Sequence, residues 1–163
     1  MIRIRSWTVL AVCILSLAAA GGALAAAGGC HSFAGDFTAV APAVCASPVG
    51  ICTHGTLTGG FPSTYDFVAD TLVPTAIPNV FTYTGHSTIT TPQGALIFGS
   101  DSGVLTMRPD GTAPFATTVH VVGGTRQYAH AAGVIVAPGI LNLATGATVG
   151  KYAGAICLGK GDT

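Results

Sequence analysis

Residues 118–158 read TVHVVGGTRQYAHAAGVIVAPGILNLATGATVGKYAGAICL. An apolar run into Val121-Val122, a Gly123-Gly124 break, a short bend holding Tyr128 and two long apolar runs joined at Ala144-Thr145-Gly146 spell a strand, a corner and a closing hairpin. Gly123 and Gly124 are expected to supply the positive φ that a sharp change of direction needs. Val134-Ile135-Val136 and Ile140-Leu141 supply the β-branched and apolar side chains that suit a pleated surface.

The same grammar extends back along the chain. Strand-like runs at 51–58, 65–73, 80–90, 95–107, 113–122, 133–143 and 147–158 are separated by Gly59-Gly60-Phe61-Pro62, residues 74–78, Pro92-Gln93-Gly94, Pro109-Asp110-Gly111 and Ala144-Thr145-Gly146. No stretch carries a 3.6-residue apolar period rich in Leu, Glu, Lys and Arg, so the chain is all-β. Seven or eight strands on mostly short turns predict an antiparallel meander whose apolar face is buried by closing the sheet or stacking it on another. Residues 28–50, rich in Ala and Pro, are expected to form an irregular N-terminal arm, and 159–163 a tail.

Composition and the first residues bear on compartment. Residues 1–27 carry Arg3 and Arg5, an apolar run from Trp7 to Ala20 and small residues around Ala23-Leu24-Ala25, the pattern of a secretory signal peptide. The apolar run is shorter than the ~20 residues a spanning helix needs, so no membrane span is expected. The mature protein is then extracellular or periplasmic. Ala27-Gly28-Gly29-Cys30 is a weak lipoprotein box and leaves an anchor through Cys30 as an alternative. Without the leader, Arg108, Arg126, Lys151 and Lys160 face six Asp and no Glu, a formal charge of −2. That excludes the basic surface of a nucleic-acid binder. With charges this rare, a soluble surface is covered mainly by Thr, Ser, Gly and Ala, as in compact extracellular β proteins. Cys30, Cys45, Cys52 and Cys157 form an even set suited to an oxidising compartment, with three pairings open.

Val121-Val122-Gly123-Gly124-Thr125, followed by Tyr128, Ala131 and Gly133, resembles the VVGGTGxFxxAxG signature of dirigent proteins and of the related bacterial allene oxide cyclase barrel-like proteins. Thr148-Val149-Gly150-Lys151-Tyr152-Ala153-Gly154 resembles the last barrel strand of the bacterial members, and the resemblance covers roughly residues 52–158. Arg126 stands where the signature has its third glycine, and Ala132 where plant dirigents commonly carry Arg. The resemblance implies a closed, calycin-like barrel of about eight strands over 51–158, with room inside for side chains and one small ligand. It implies a secreted barrel that binds a small hydrophobic or aromatic ligand and directs its cyclisation or coupling without a cofactor, by holding a reactive substrate in one conformation. A carrier without turnover, and a non-catalytic extracellular or cell-envelope scaffold for partner contacts, remain the alternatives; a homo-oligomer is compatible with each. In such a barrel the first and last strands are neighbours, which favours Cys52–Cys157, with Cys30–Cys45 tying the arm.

The chemistry rests on few groups. Asp101, between Ser100 and Ser102, shares a strand face with Ile97, Gly99 and Leu105 by alternation. If that face is the lumen, Asp101 is a buried carboxyl with a raised pKa, suited to proton transfer; if not, it is an outward or structural residue. Tyr83, Tyr152, His86 and His120 lie within strands and offer donors or a neutral base to a cavity, or serve as ordinary core and ladder residues. Asp101, Tyr152, Tyr83 and His120 are the candidate ligand contacts. Arg126, in the glycine corner, anchors an anion, caps carbonyls or faces water. The five His form neither an HxH pair nor an HExxH, and no CxxC is present, so no metal site is expected. There is no GxSxG elbow and no glycine loop leading into a helix, which sets aside standard hydrolase and nucleotide chemistry.

Overall fold

The computed structural model describes residues 29–42 and 44–159; the leader at 1–27 and the end of the tail at 160–163 lie outside the described residues. Eight antiparallel strands form one closed barrel: β1 Cys30–Val40, β2 Cys52–Gly59, β3 Ser63–Pro74, β4 Val80–Thr90, β5 Leu96–Thr106, β6 Thr112–Gly124, β7 Ala132–Asn142 and β8 Ala147–Cys157. Each strand pairs with the next, and β1 closes on β8 in a register that runs from Cys30 opposite Cys157 to Val40 opposite Ala147. The fold is the all-β closed barrel that the strand count and the resemblance predict.

Residues 30–40 correct the expected irregular arm. CHSFAGDFTAV alternates, with Phe33, Gly35, Phe37 and Ala39 turned inward and Asp36, Thr38 and Val40 outward. The Ala- and Pro-rich part is only the link 41–51. A strand there separates β2 from β8, and this re-pairs the cysteines. Cys30–Cys157 and Cys45–Cys52 are the disulfides, instead of Cys52–Cys157 and Cys30–Cys45. Cys52 begins β2 at the opposite end of the barrel from Cys157, so no bridge between them was possible. The sulfur of Cys30 is held in that bridge, which also removes it as a lipid anchor.

Inward glycines face inward rings. Gly103 on β5 lies opposite Tyr83, and Gly150 on β8 lies opposite Phe37. A methyl group at Gly103 would sit 2.4 Å from the Tyr83 ring, and one at Gly150 would sit 2.5 Å from the Phe37 ring. Each ring therefore lies flat across the strand beside it, the aromatic cover of glycine that curved sheets use. One barrel end is filled: Phe33 stacks on Phe61 at 4.8 Å between ring centres, and Tyr152, Ile97 and Ile156 complete that layer. Toward the other end Tyr83, Leu105 and Ala113 form a second apolar cluster. Burying such side chains stabilises the fold by roughly 1.5–3 kcal/mol each for the larger ones.

Two bulges break the alternation. In β3, Asp70 is the extra residue between Ala69 and Thr71, so that Tyr65, Phe67 and Ala69 and then Leu72 all point inward. In β6, Val122 is extra opposite Phe98 and Gly99, directly before the corner. Gly123 has φ 131, as expected, whereas Gly124 has no positive φ. What Gly124 needs is space: a methyl there would lie 2.2 Å from the Leu96 carbonyl oxygen. Thr125 then pins the corner to β5, its N–H donating to the Leu96 carbonyl at 2.8 Å and its hydroxyl accepting from the Leu96 N–H at 2.9 Å.

Candidate functional site in the barrel lumen

Between the filled end and the opposite end, where Ile51, Leu72 and Leu141 line it, the lumen holds a cavity of about 120 Å3. A void needs only ~10–15 Å3 by this kind of measure to hold one water, and about 150 Å3 in an engineered core admits benzene. At about 120 Å3 the lumen is somewhat smaller than that benzene-holding cavity, on the scale of one small ring. Its walls are mostly apolar, with Phe37, Phe67, Leu105, Phe115 and Ile135 prominent, and the polar groups on it are Asp101 and hydroxyls such as those of Ser87 and Thr117.

Asp101 is the centre of that polar set. Alternation along β5 turns Ile97, Gly99, Asp101, Gly103 and Leu105 inward, and Asp101 is only 4% exposed. The Ser87 hydroxyl donates to its Oδ2 at 2.8 Å from the neighbouring strand β4. Burial pushes the carboxyl from 3.8 up to about 6. The Ser87 hydrogen bond works against that rise, as does the nearby His86, while Asp70 adds to it. A carboxyl near neutrality in a largely apolar cavity can give or take a proton and can accept a hydrogen bond from a guest.

Tyr83 also faces the lumen, and its hydroxyl pairs with that of Thr117 on β6. Burial pushes its pKa up to about 12, so it stays a neutral donor or acceptor. Tyr152 lines the cavity with its ring, but its hydroxyl serves the backbone: it donates to the Thr58 carbonyl at 2.9 Å and accepts from the Phe61 N–H at 3.1 Å. Those bonds hold the β2–β3 turn over the filled end. His120 is not brought to the cavity. Alternation on β6 turns Thr117, Val119 and Val121 inward and leaves His120 exposed on the outer face, and His86 is likewise outside, 3.0 Å from Asp70. Arg126 caps a carbonyl, donating to that of Gln93, with φ 55.

Sequence reading missed three lumen groups. Ser87 and Thr117 share a strand face with Tyr83 and Val119 and were available from alternation alone. Phe37 was hidden by reading residues 28–50 as one irregular stretch. Among the described residues no three His, Cys, Asp or Glu gather as a metal site, and no helix is long and apolar enough to cross a membrane. No family model, no curated protein and no solved structure matches the chain.

Proposed function

We propose that this is a secreted barrel that binds a small hydrophobic or aromatic ligand in its lumen. The observation that carries the reading is a ring-sized, largely apolar cavity with one buried carboxyl and its hydroxyl partner, the few-polar-groups pattern of small-molecule sites. Export is supported by the leader pattern and by two disulfides, which persist in oxidising compartments. The resemblance to allene oxide cyclase barrel-like and dirigent proteins rests on the corner and last-strand residues of the sequence, and Arg126, which departs from the signature glycine, takes the left-handed region there. Directed cyclisation or coupling, which that resemblance implies, would draw on the cavity walls for conformation and on Asp101 for any proton moved.

A second reading is favoured by the outer surface of β7, where Val134, Val136 and Ile140 are exposed on one face. There the barrel is a scaffold and the contact surface is outside it. A thermal-shift screen of terpenoid, fatty-acid-derived and phenolic compounds separates the two. A melting-point rise that filling the lumen abolishes, as by Leu105→Trp, supports the ligand reading. No shift with any compound class replaces it with the scaffold.

A further inference from the structure

The interior carries a lopsided charge pattern. Among the described residues Asp101 is the one buried acid, since Asp36, Asp66, Asp70 and Asp110 are all exposed. Every described Arg, Lys and His is exposed as well. The lumen therefore holds one carboxyl and no cation to balance it. A carboxylate offers about four lone-pair sites, and among the described residues the Ser87 hydroxyl is the donor that reaches this one. The remaining acceptor capacity belongs to a group on the cavity wall.

The walls beside it are aromatic. Tyr83, whose burial and whose neighbour Asp101 both hold its hydroxyl in the protonated form, meets Phe67 edge to face at 5.9 Å between ring centres. Phe115 and Phe37 continue the aromatic lining. Ring faces attract cations, and more strongly where water is excluded. An anionic guest meets the reverse: it would be desolvated next to a like charge with no counter-ion in reach.

We propose that the lumen selects small aromatic amines, seating the protonated nitrogen on the Asp101 carboxylate against the Tyr83 and Phe67 rings, and rejects carboxylates of the same size. The inference rests on the ligand-binding reading above and narrows its ligand class. Affinity then follows the ionisation of Asp101, which is half complete at about pH 6. The charged and titratable groups around it are few: Tyr83 inside and His86 outside on β4, His120 outside on β6, and Asp70 on β3, itself paired with His86. His86 and Asp70 act on the carboxyl in opposite directions, and Tyr83 does not titrate below pH 10. Asp101→Asn isolates the carboxyl's own contribution to the pH response, because it removes that ionisation and leaves His86, His120 and Asp70 in place.

The test is calorimetric titration of the wild-type protein with benzylamine, benzyl alcohol and benzoate at pH 8 and pH 5. The expected result is benzylamine binding at least tenfold tighter than benzyl alcohol at pH 8. About tenfold of its affinity should be lost at pH 5, where roughly one carboxyl in eleven remains ionised. Benzyl alcohol should hold its affinity, and benzoate should show no binding at pH 8. Asp101→Asn should bind amine and alcohol alike. Benzoate bound as tightly as benzylamine, an amine no tighter than the alcohol at pH 8, or an amine preference that survives Asp101→Asn overturns the charge selection while leaving the cavity a ligand site. Failure of all three compounds to bind overturns it too, and the ligand reading then stands or falls on the broader screen.

Discussion

At the residue scale, Asp101 links the candidate site to stability. Its ordinary value is 3.8 and its folded value about 6, so between those pH values the folded state binds more protons than the unfolded one. Stability therefore falls as pH rises through that window and is flat above it. A shift of about two units corresponds to roughly 3 kcal/mol. Asp101→Asn keeps an acceptor for the Ser87 hydroxyl and removes the charge. Urea unfolding should find the variant more stable than wild type by about 2–3 kcal/mol at pH 8 and equal to it near pH 3.5; parallel curves at both pH values would sink the assignment. Tyr152 answers differently. Tyr152→Phe leaves the Phe61 N–H and Thr58 carbonyl without their shared partner, which should lower stability by about 1–3 kcal/mol while changing ligand affinity little. The sequence offered Tyr152 as a ligand contact; it lines the cavity, while its hydroxyl is taken by the backbone. Its place within a strand did not disclose that its hydroxyl, one ring-length away, reaches the turn between two other strands.

At the element scale, the corner after β6 shows what a motif does and does not disclose. VVGGT was legible as a sharp turn because adjacent glycines have few other uses in a β chain. The division of labour within it was not, since a bulge at Val122 shifts the register by one and puts the positive φ at Gly123 alone. Gly124 faces the β5 backbone instead. Gly123→Ala should cost on the order of 1 kcal/mol from an unfavourable φ. Gly124→Ala should cost more, because 2.2 Å to a carbonyl oxygen forces β5 and β6 apart and breaks the reciprocal Thr125–Leu96 bonds. Guanidinium unfolding of the two variants checks the order, and equal losses would mean that the corner relaxes more easily than its geometry suggests. The strand runs themselves were readable to within one or two residues, and Val80–Thr90 lies where the spacing put it. His120 was misplaced because a strand length alone does not say which parity faces in.

At the scale of the whole molecule, a closed barrel was expected, but the strand that closes it was hidden. Eight strands could be counted approximately, yet the strand that closes the ring lay in the stretch read as an arm, because the Pro and Ala of 41–48 masked the alternation of Phe33, Gly35 and Phe37 just before them. The error then propagated to the disulfides: without β1 the neighbours in the ring are β2 and β8, and the wrong cysteines meet. The true bridges close loops of very different length, with Cys30–Cys157 spanning 127 residues and Cys45–Cys52 spanning 7. In the chain-entropy account a loop of about 100 residues is worth about 4–5 kcal/mol, and a short one clearly less. Cys30 and Cys157 also sit opposite each other where β1 meets β8, so their bridge restrains the seam that converts a sheet into a barrel. Paired Ser substitution at Cys30 and Cys157 should therefore lower stability by about 4 kcal/mol, and the same change at Cys45 and Cys52 by about 2–3 kcal/mol. Urea unfolding of both double variants decides it: a larger loss from the Cys45 and Cys52 pair would mean that the link 41–51, rather than the β1–β8 seam, limits the integrity of the barrel.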